Sequence, residues 1–593
     1  MKILLVAINA KYIHSNLAVY CLKAYAQKYL PVEAGAQIEL AEYTINQNRD
    51  DILKDIYRKQ PDMVCFSCYI WNLDYVESMI RDIRKIMPDV ALWAGGPEVS
   101  YDSKETLERL PALDGVMKGE GERTFSELCS VYGKHIQTNR VLNEKWIQNL
   151  EQDLKEVAGI TYRCQDGSIC EQPWREPMDL SEVPFVYHDM KKFENKIIYY
   201  ETSRGCPFSC SYCLSSIDKR LRFRSLELVF DELQFFLEHK VPQVKFVDRT
   251  FNCKHDHAMA IWNYIQDHDN GITNFHFEVA ADLLNEEEIA LIQKMRPGLI
   301  QLEIGVQSTN QETIREIRRT MKLEEVREHV ARIKQTGNIH QHLDLIAGLP
   351  YEDIKSFRKS FDDVYKMRPD QLQLGFLKVL KGSYMQQMQE VYELCYKDEP
   401  PYEVLSTKWL PYSDIIELKG IEEMVEIYYN SGQFTHAIER LEENYESLYQ
   451  MYYELWKYYE EHDYMGIQHR RSARYEIILD FVKEMYPEQV EVMRELLIYD
   501  YYLRENAKSR PEFAGEDATD KSFVRAFYEE EEKERKYLPG YEQYDRNQMR
   551  KMTHLECFPH LGKILLFDYK YRNPLNQEAR TCMIKKDSLE ERG

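Results

Sequence analysis

Cys206, Cys210 and Cys213 fall within eight residues of one another in 202-TSRGCPFSCSYCLSS-216. Deprotonated thiols are metal ligands and nucleophiles, so the spacing raises four readings. A structural zinc wants a fourth ligand at close spacing. The next cysteine, Cys253, stands far along the chain beside His255 and His257, in what should be the loop and helix after the next strand. A disulfide would use two thiols and leave one over. Burial of all three in a core fits poorly, because Gly205 and Pro207 mark a loop. An iron–sulfur cluster on three thiolates remains. Three ligands to a four-iron cluster leave one iron open, and an open metal position signals chemistry rather than scaffolding.

The elements that must position this loop follow from composition and pattern. The chain has 593 residues, 44% hydrophobic and 30% charged, a balance that fits several globular domains. Its formal net charge of −23 argues against a surface built to read nucleic-acid phosphates. The opening MKILLVAINA is too short an apolar run for a signal peptide. No run reaches the roughly 18 apolar residues that span a bilayer. A cytoplasmic protein is expected, in which thirteen mostly scattered cysteines read as thiols, metal ligands or catalytic groups rather than a disulfide framework.

Residues 1–135 alternate apolar strands, expected at 2–9, 38–45, 63–70, 90–96 and 115–120, with helices such as 15–30 and 73–87. The second helix lines up Val76, Met79, Ile80 and Ile83 on one face. This alternation predicts a parallel sheet covered on both faces, with a ligand at the carboxyl ends of its strands. Residues 136–196 read as a connector holding a hairpin over 159–173 that turns at Asp166-Gly167. From 197 the alternation resumes, with strands at 197–203, 243–248, 274–281, 299–306, 339–348 and 371–380, and with Ser225 capping the helix after the cysteines. Six β/α units in about 185 residues predict a partial TIM barrel over 197–390 with its chemistry at the strand C-termini. Residues 391–593, dense in Tyr and Glu, predict a mainly α-helical domain with one candidate strand at 563–571.

A CxxxCxxC loop with Tyr212 before its last cysteine, just after the first strand of a six-unit barrel, resembles the radical S-adenosylmethionine (radical SAM) superfamily. The resemblance implies a [4Fe-4S] cluster on Cys206, Cys210 and Cys213 whose open iron chelates SAM. It implies reductive cleavage of SAM to methionine and a 5′-deoxyadenosyl radical. It also implies SAM contacts at Tyr212 and at the strand ends: Asp248; Glu278 and Asp282; Glu303 and Gln307; Asp344 and the Gly348 turn, 348-GLPYE-352. The glycine-glycine-glutamate version common in the superfamily is absent after strand two, where Asp248 stands. A hydrogen bond that merely holds the barrel is an equal expectation for each residue alone. For Arg222 and Arg224, just past the cysteines, an exposed surface role is slightly favoured over meeting a carboxylate.

An α/β domain ahead of such a barrel resembles the flavodoxin-like or Rossmann-like cobalamin-binding domain of cobalamin-dependent radical SAM proteins. The resemblance spans about 1–390, and the tail resembles the uncharacterised C-terminal extension of one subgroup. It implies that Ser67 and Gly95-Gly96 wrap the nucleotide tail of cobalamin, with His14, Asn16, Tyr69, Glu98, Gly119 and Glu120 around the same cleft. The Asp-x-His-x-x-Gly loop that gives cobalt a histidine in mutases is missing; 11-KYIHSN-16 takes its place, so His14 is expected to cap or line rather than to ligate. A vestigial domain that binds nothing is the other reading. No G-x-G-x-x-G follows strand one, which counts against a dinucleotide. Cys65 and Cys68 are expected to be small core residues on different faces of their strand.

The function so implied is cobalamin-dependent radical SAM catalysis, with methylation of an unactivated carbon or phosphorus as the natural reaction. The alternatives are a cobalamin-assisted radical cyclisation or rearrangement, or a cobalamin-binding sensor with a structural cluster. An electron donor such as flavodoxin or ferredoxin is the expected partner. Whether the substrate is a small molecule, peptide or lipid is not encoded in any motif.

Overall fold

The computed structural model describes residues 1–31, 35–138 and 144–585, so 139–143 of the expected connector and the last residues of the C-terminal domain lie outside the described residues. The chain divides into two compact units. One is Met1–Thr336 with Ile346–Asp353 and Gly375–Tyr412; the other is Gly337–Leu345 with Ile354–Leu374 and Ser413–Gly593.

Strands β1 (Lys2–Asn9), β2 (Gln37–Thr44), β3 (Met63–Ser67), β4 (Ala91–Gly95) and β5 (Gly115–Met117) form the expected parallel sheet, in the order β2-β1-β3-β4-β5. Their near-continuous apolar runs follow from burial on both faces. Cys65 packs with Trp93 and Phe125 on one face, and Cys68 with Phe66 and Leu73 on the other, as small core residues. The expected hairpin is present as β6 (Ile160–Arg163) and β7 (Ile169–Glu171). It is not a free connector: β6 pairs antiparallel with β5 and extends the front sheet by two strands.

The second sheet contains β8 (Ile198–Tyr200), β11 (Gln243–Phe246), β12 (Asn274–Val279), β13 (Ile300–Gln307), β14 (His340–Ala347) and β15 (Gln371–Phe376), adjacent in that order. Between β8 and β11 lies a short ribbon, β9 (Ser203–Arg204) paired with β10 (Arg222–Phe223). Tyr199, Lys245, His276 and Gln301 stand side by side in register, partly exposed or polar, while their neighbours Ile198, Val244, Phe275 and Ile300 are fully buried. That alternation separates an inward polar face from an outward face packed under helices. Ser225 caps the helix Leu226–Glu238, as expected, by accepting a hydrogen bond from the Leu228 amide.

Beyond the barrel come a two-strand ribbon, β16 (Cys395–Tyr396) and β17 (Val404–Ser406), then the helices of the second unit. The tyrosines of the helix Leu448–Glu461 are mostly core: Tyr449, Tyr452, Tyr458 and Tyr459 are buried. Their hydroxyls find partners, Tyr459 with Tyr428 at 2.7 Å and Tyr452 with Tyr365 at 3.0 Å. The candidate strand at 563–571 is β19 (Lys563–Arg572), flanked by β18 (Thr553–Phe558) and β20 (Ala579–Met583) in an antiparallel sheet.

Candidate functional site

The cysteine loop is held at its neck and at its tip. Arg204 and Ser203 pair with Arg222 and Phe223, and the Cys206 amide donates to the Asp218 carbonyl at 3.0 Å. Gly205 sits at φ 93°, where a Cβ would stand 2.6 Å from the Arg220 carbonyl oxygen, so only glycine closes this neck. At the tip, the Ser211 amide donates to the Ile317 carbonyl and the Ser211 carbonyl accepts from the Met385 amide, both at 2.9 Å. Cys206 and Cys210 are buried and Cys213 half-buried. Burial pushes the Cys206 thiol up, with the other two cysteines adding to the shift.

Cys253 lies near enough to Cys206 to feel it: burial, then Cys206 and Asp248, push its thiol to about 11. His257 instead bonds Thr202 Oγ1 at 3.0 Å, and His255 meets Asn285 and Glu288. Among the described residues no group of three Cys, His, Asp or Glu converges on a single ion. A zinc site needs that convergence, whereas a cubane takes each thiolate on a different iron. Three free thiols on one loop are by their chemistry a donor set that fits an iron–sulfur cluster.

Three buried polar atoms near the loop have no partner: Ser211 Oγ, Gln307 Oε1 and Arg319 Nε. An unmatched buried polar group in a folded chain calls for a partner, which a water or a ligand can supply. Arg319 was not singled out by sequence reasoning. Its guanidinium lies 3.9 Å from Cys210 Sγ and 3.4 Å from the Tyr212 hydroxyl, and it donates to the Gly305 carbonyl. Burial opposes its charge, but Tyr212 and Cys210 more than offset that. Gly305 in 302-LEIGVQS-308 is the sequence signal, since a Cβ there would meet the Gln307 side chain at 2.4 Å and Arg319 at 3.4 Å. Gln307 itself holds a φ of 72°, a strained value for a residue with a side chain.

The other expected SAM residues are placed as follows. Asp248 is fully engaged, accepting from the Thr202 amide (2.9 Å), Thr202 Oγ1 (2.7 Å) and Ser203 Oγ (2.6 Å), which ties the end of β11 to the end of β8. Glu303 is bound by His276 at 2.9 Å and Lys245 at 3.0 Å. Burial opposes its charge, yet these partners hold it at about 2. Glu278 lies beside Glu303 in register, and Asp282 accepts from the Lys322 amide at 3.2 Å. Asp344 pairs with His342 at 3.0 Å on β14. Gly348 turns at φ 89°, and the following residues are tied to β13 by Ser308 donating to Glu352 at 2.6 Å. Arg222 and Arg224 depart from the surface role expected of them. Arg224 is buried against Glu232, and Arg222 pairs with Asp218 and Glu120.

At the front sheet, Asn16 caps its helix and donates to Ser67 Oγ at 3.2 Å. Tyr69 lies close to Ser67 and stacks on Trp71, with ring centroids 4.5 Å apart. Asn72, unremarked in the sequence, closes the strand ends by donating to the Ile8 and Ser67 carbonyls at 2.9 and 3.0 Å. Gly96, at φ 111°, passes so close to Cys68 that a Cβ would lie 2.4 Å from its carbonyl oxygen. Gly119 turns at φ 69° under Trp174. Glu98 faces Tyr402, whose hydroxyl donates at 2.9 Å. Glu120 binds Arg222 at 2.6 Å. His14 Nδ1 meets the Tyr199 hydroxyl at 2.7 Å, and the Ile197 amide donates to the Ile13 carbonyl, so the loop that replaces Asp-x-His-x-x-Gly is joined to the first barrel strand. Tyr12, Trp71 and Trp174 remain exposed by the strand ends and the Gly119 turn. Partly exposed aromatic rings beside glycine turns suit a large, partly apolar macrocycle, which fits cobalamin.

A cysteine loop on a parallel barrel that follows an α/β sheet defines the cofactor-bearing part of the protein. Comparison with known proteins gives the class its name. The B12 binding domain model matches residues 3–129, the radical SAM superfamily model matches 200–364, and the model described as Protein of unknown function (DUF4080) matches 390–577. The chain is a radical SAM superfamily protein with a B12-binding domain before the barrel and a DUF4080 domain after it. It is similar to the uncharacterized methyltransferase PH0819 of Pyrococcus horikoshii, 29% identical over 36% of this chain and 44% of that protein. It is also similar to the 2-(S-pantetheinyl)-carbapenam-3-carboxylate methyltransferase of Streptantibioticus cattleyicolor, 26% identical over 50% of this chain and 44% of that protein. The chain thus spans less than half the length of these relatives. In fold it resembles TsrM from Kitasatospora setae, a radical SAM methyltransferase solved with cobalamin and a [4Fe-4S] cluster, at a TM-score of 0.52 and 16% identity, over 68% of this chain and 78% of that one. No helix among the described residues is long and apolar enough to cross a membrane.

Proposed function

We propose that this chain is a cobalamin-dependent radical SAM methyltransferase that methylates an unactivated carbon or phosphorus. One observation carries the reading. Arg204 and Arg222, at the neck of the cysteine loop, pair with Glu122 and Glu120, which follow the last parallel strand of the front sheet. The carboxyl ends of the two sheets are thereby held together, so a substrate between them is within reach of both cofactors. When bound, the cluster with SAM supplies a hydrogen-abstracting 5′-deoxyadenosyl radical and cobalamin supplies the methyl group. The chain's own part is to hold and orient. Arg319 keeps a positive charge against Cys210, Gln307 and Ser211 offer unfilled polar atoms beside it, and Trp71 and Trp174 present apolar surface that excludes water. The reducing electron comes from a one-electron carrier of the flavodoxin or ferredoxin kind, in the cytoplasm.

The test is anaerobic reconstitution with iron, sulfide and hydroxocobalamin, followed by SAM carrying a deuterated methyl group and a reductant. Wild type is expected to form 5′-deoxyadenosine and S-adenosylhomocysteine, and Cys210→Ala neither. If wild type makes no deoxyadenosine above the variant, the radical reading fails. If deoxyadenosine forms but cobalamin does not bind, methyl transfer fails and radical chemistry stands.

A further inference from the structure

One pair of thiols lies outside both cofactor sites. Cys164 and Cys170 flank the turn of the β6–β7 hairpin, with their sulfurs 2.8 Å apart, both half-buried. The turn brings them together. The Gly167 amide donates to the Cys164 carbonyl at 2.9 Å, the Cys164 amide donates to the Ser168 carbonyl at 2.8 Å, and Gly167 takes a φ of 84° that glycine accepts freely. The two side chains lean on the same front-domain core. A disulfide requires sulfurs about 2.05 Å apart, so less than about 1 Å remains to be closed between these two.

We propose that Cys164 and Cys170 form a reversible intramolecular disulfide, a modification site on the edge of the front sheet. The oxidant is a low-molecular-weight disulfide such as oxidised glutathione. The thiolate of one cysteine attacks it, releasing one glutathione, and the thiolate of the other attacks the resulting mixed disulfide and releases the second. Two protein thiols are oxidised, one glutathione disulfide is reduced, and the two thiol protons end on the two glutathione thiols. The bond locks the strand that carries the Lys118 cradle: buried Lys118 is held by Glu171 at 2.7 Å and by the Gln172 carbonyl at 2.9 Å, one residue before the Gly119 turn. The inference is independent of the methyl-transfer reading, because it needs neither SAM nor cobalamin.

The full chain is equilibrated anaerobically in glutathione buffers of graded potential, alkylated, digested and weighed, with the exposed Cys395 as internal control. The expected result is a Cys164–Cys170 link two hydrogens lighter than the dithiol, about tenfold more abundant than the glutathione adduct of Cys395. Cys170→Ser is expected to leave Cys164 carrying glutathione instead. Free alkylation of both cysteines while Cys395 is oxidised, or a separate glutathione on each, overturns the proposal. Amide exchange across Ile169–Glu171 is expected to slow on oxidation in wild type and not in Cys170→Ser. Unchanged exchange with the bond formed removes the locking role.

Discussion

Arg204 Nη2 and Glu122 Oε1 meet at 2.9 Å, joining the residue two before Cys206 to the first turn of the helix Gly121–Thr138, which follows the last parallel strand of the front sheet. Glu122 is almost fully buried and Arg204 also holds Glu201 at 2.8 Å.

Removing the cation leaves the buried Glu122 carboxylate without its counter-charge, with Glu201 and Glu120 close by. Arg204→Met is expected to destabilise the protein by about 3 kcal/mol, the order found when one partner of a buried pair is deleted. Glu122→Gln is expected to cost less, because Glu201 still pairs with Arg204. Denaturant unfolding of the two variants checks the order; equal losses would mean that Glu201 contributes nothing.

We propose that Cys206, Cys210 and Cys213, the three thiols of one loop, each supply one thiolate to the cluster. Alanine at any one is expected to abolish charge-transfer absorption near the visible range and all deoxyadenosine formation. Alanine at Cys253 is expected to keep both. Loss of the cluster in Cys253→Ala would make Cys253 a ligand.

Thr202 Oγ1 donates to Asp248 and accepts from His257, so the two titratable groups share one hydroxyl. Burial, opposed by three hydrogen bonds, raises Asp248 from 3.8 to about 6. A raised folded value means the native state binds the extra proton, so this group's stability is present near pH 4 and is lost as pH rises through 6. Burial, then Lys254, lowers His257 from 6.5 to about 4. The unfolded state then binds the extra proton, so this group's stability is lost as pH falls from 6.5 to 4. Each is on the order of 3 kcal/mol, and their slopes oppose. Wild type is expected to be nearly flat over pH 4–6.5, Asp248→Asn to gain stability with rising pH, and His257→Gln to lose it. Parallel curves for all three proteins would show that neither group is perturbed.

Gly96→Ala would push a Cβ to 2.4 Å from the Cys68 carbonyl oxygen at a φ of 111°. Gly167→Ala meets nothing within 4 Å and carries only the positive φ. The hairpin variant is expected to lose about 1 kcal/mol from backbone strain. The Gly96 variant is expected to lose more, and to fail to retain cobalamin because the strand ends must separate. Thermal melting and the corrin absorption of the purified protein separate the two effects.

Much of this was written locally. Strand periodicity, the Ser225 cap, the Asp166-Gly167 turn and the CxxxCxxC spacing each depend on residues close in sequence, and each lies where the pattern places it. Glycine at 205 and 96 marks backbone that no other residue tolerates, because the clash is with the neighbouring chain itself, whereas Gly119 is marked by its positive φ of 69°. What a side chain touches across the fold was not written locally. Arg319 reaches Cys210 from 109 positions away, and Asp248 spends its oxygens on Thr202 and Ser203. Arg222 finds Glu120 instead of solvent, and the connector hairpin becomes two more strands of the front sheet. Spacing sets which residues share a loop or a face. Which charges neutralise one another, and which polar atoms stay free for a ligand, is decided only when the strand ends are brought together and water is excluded.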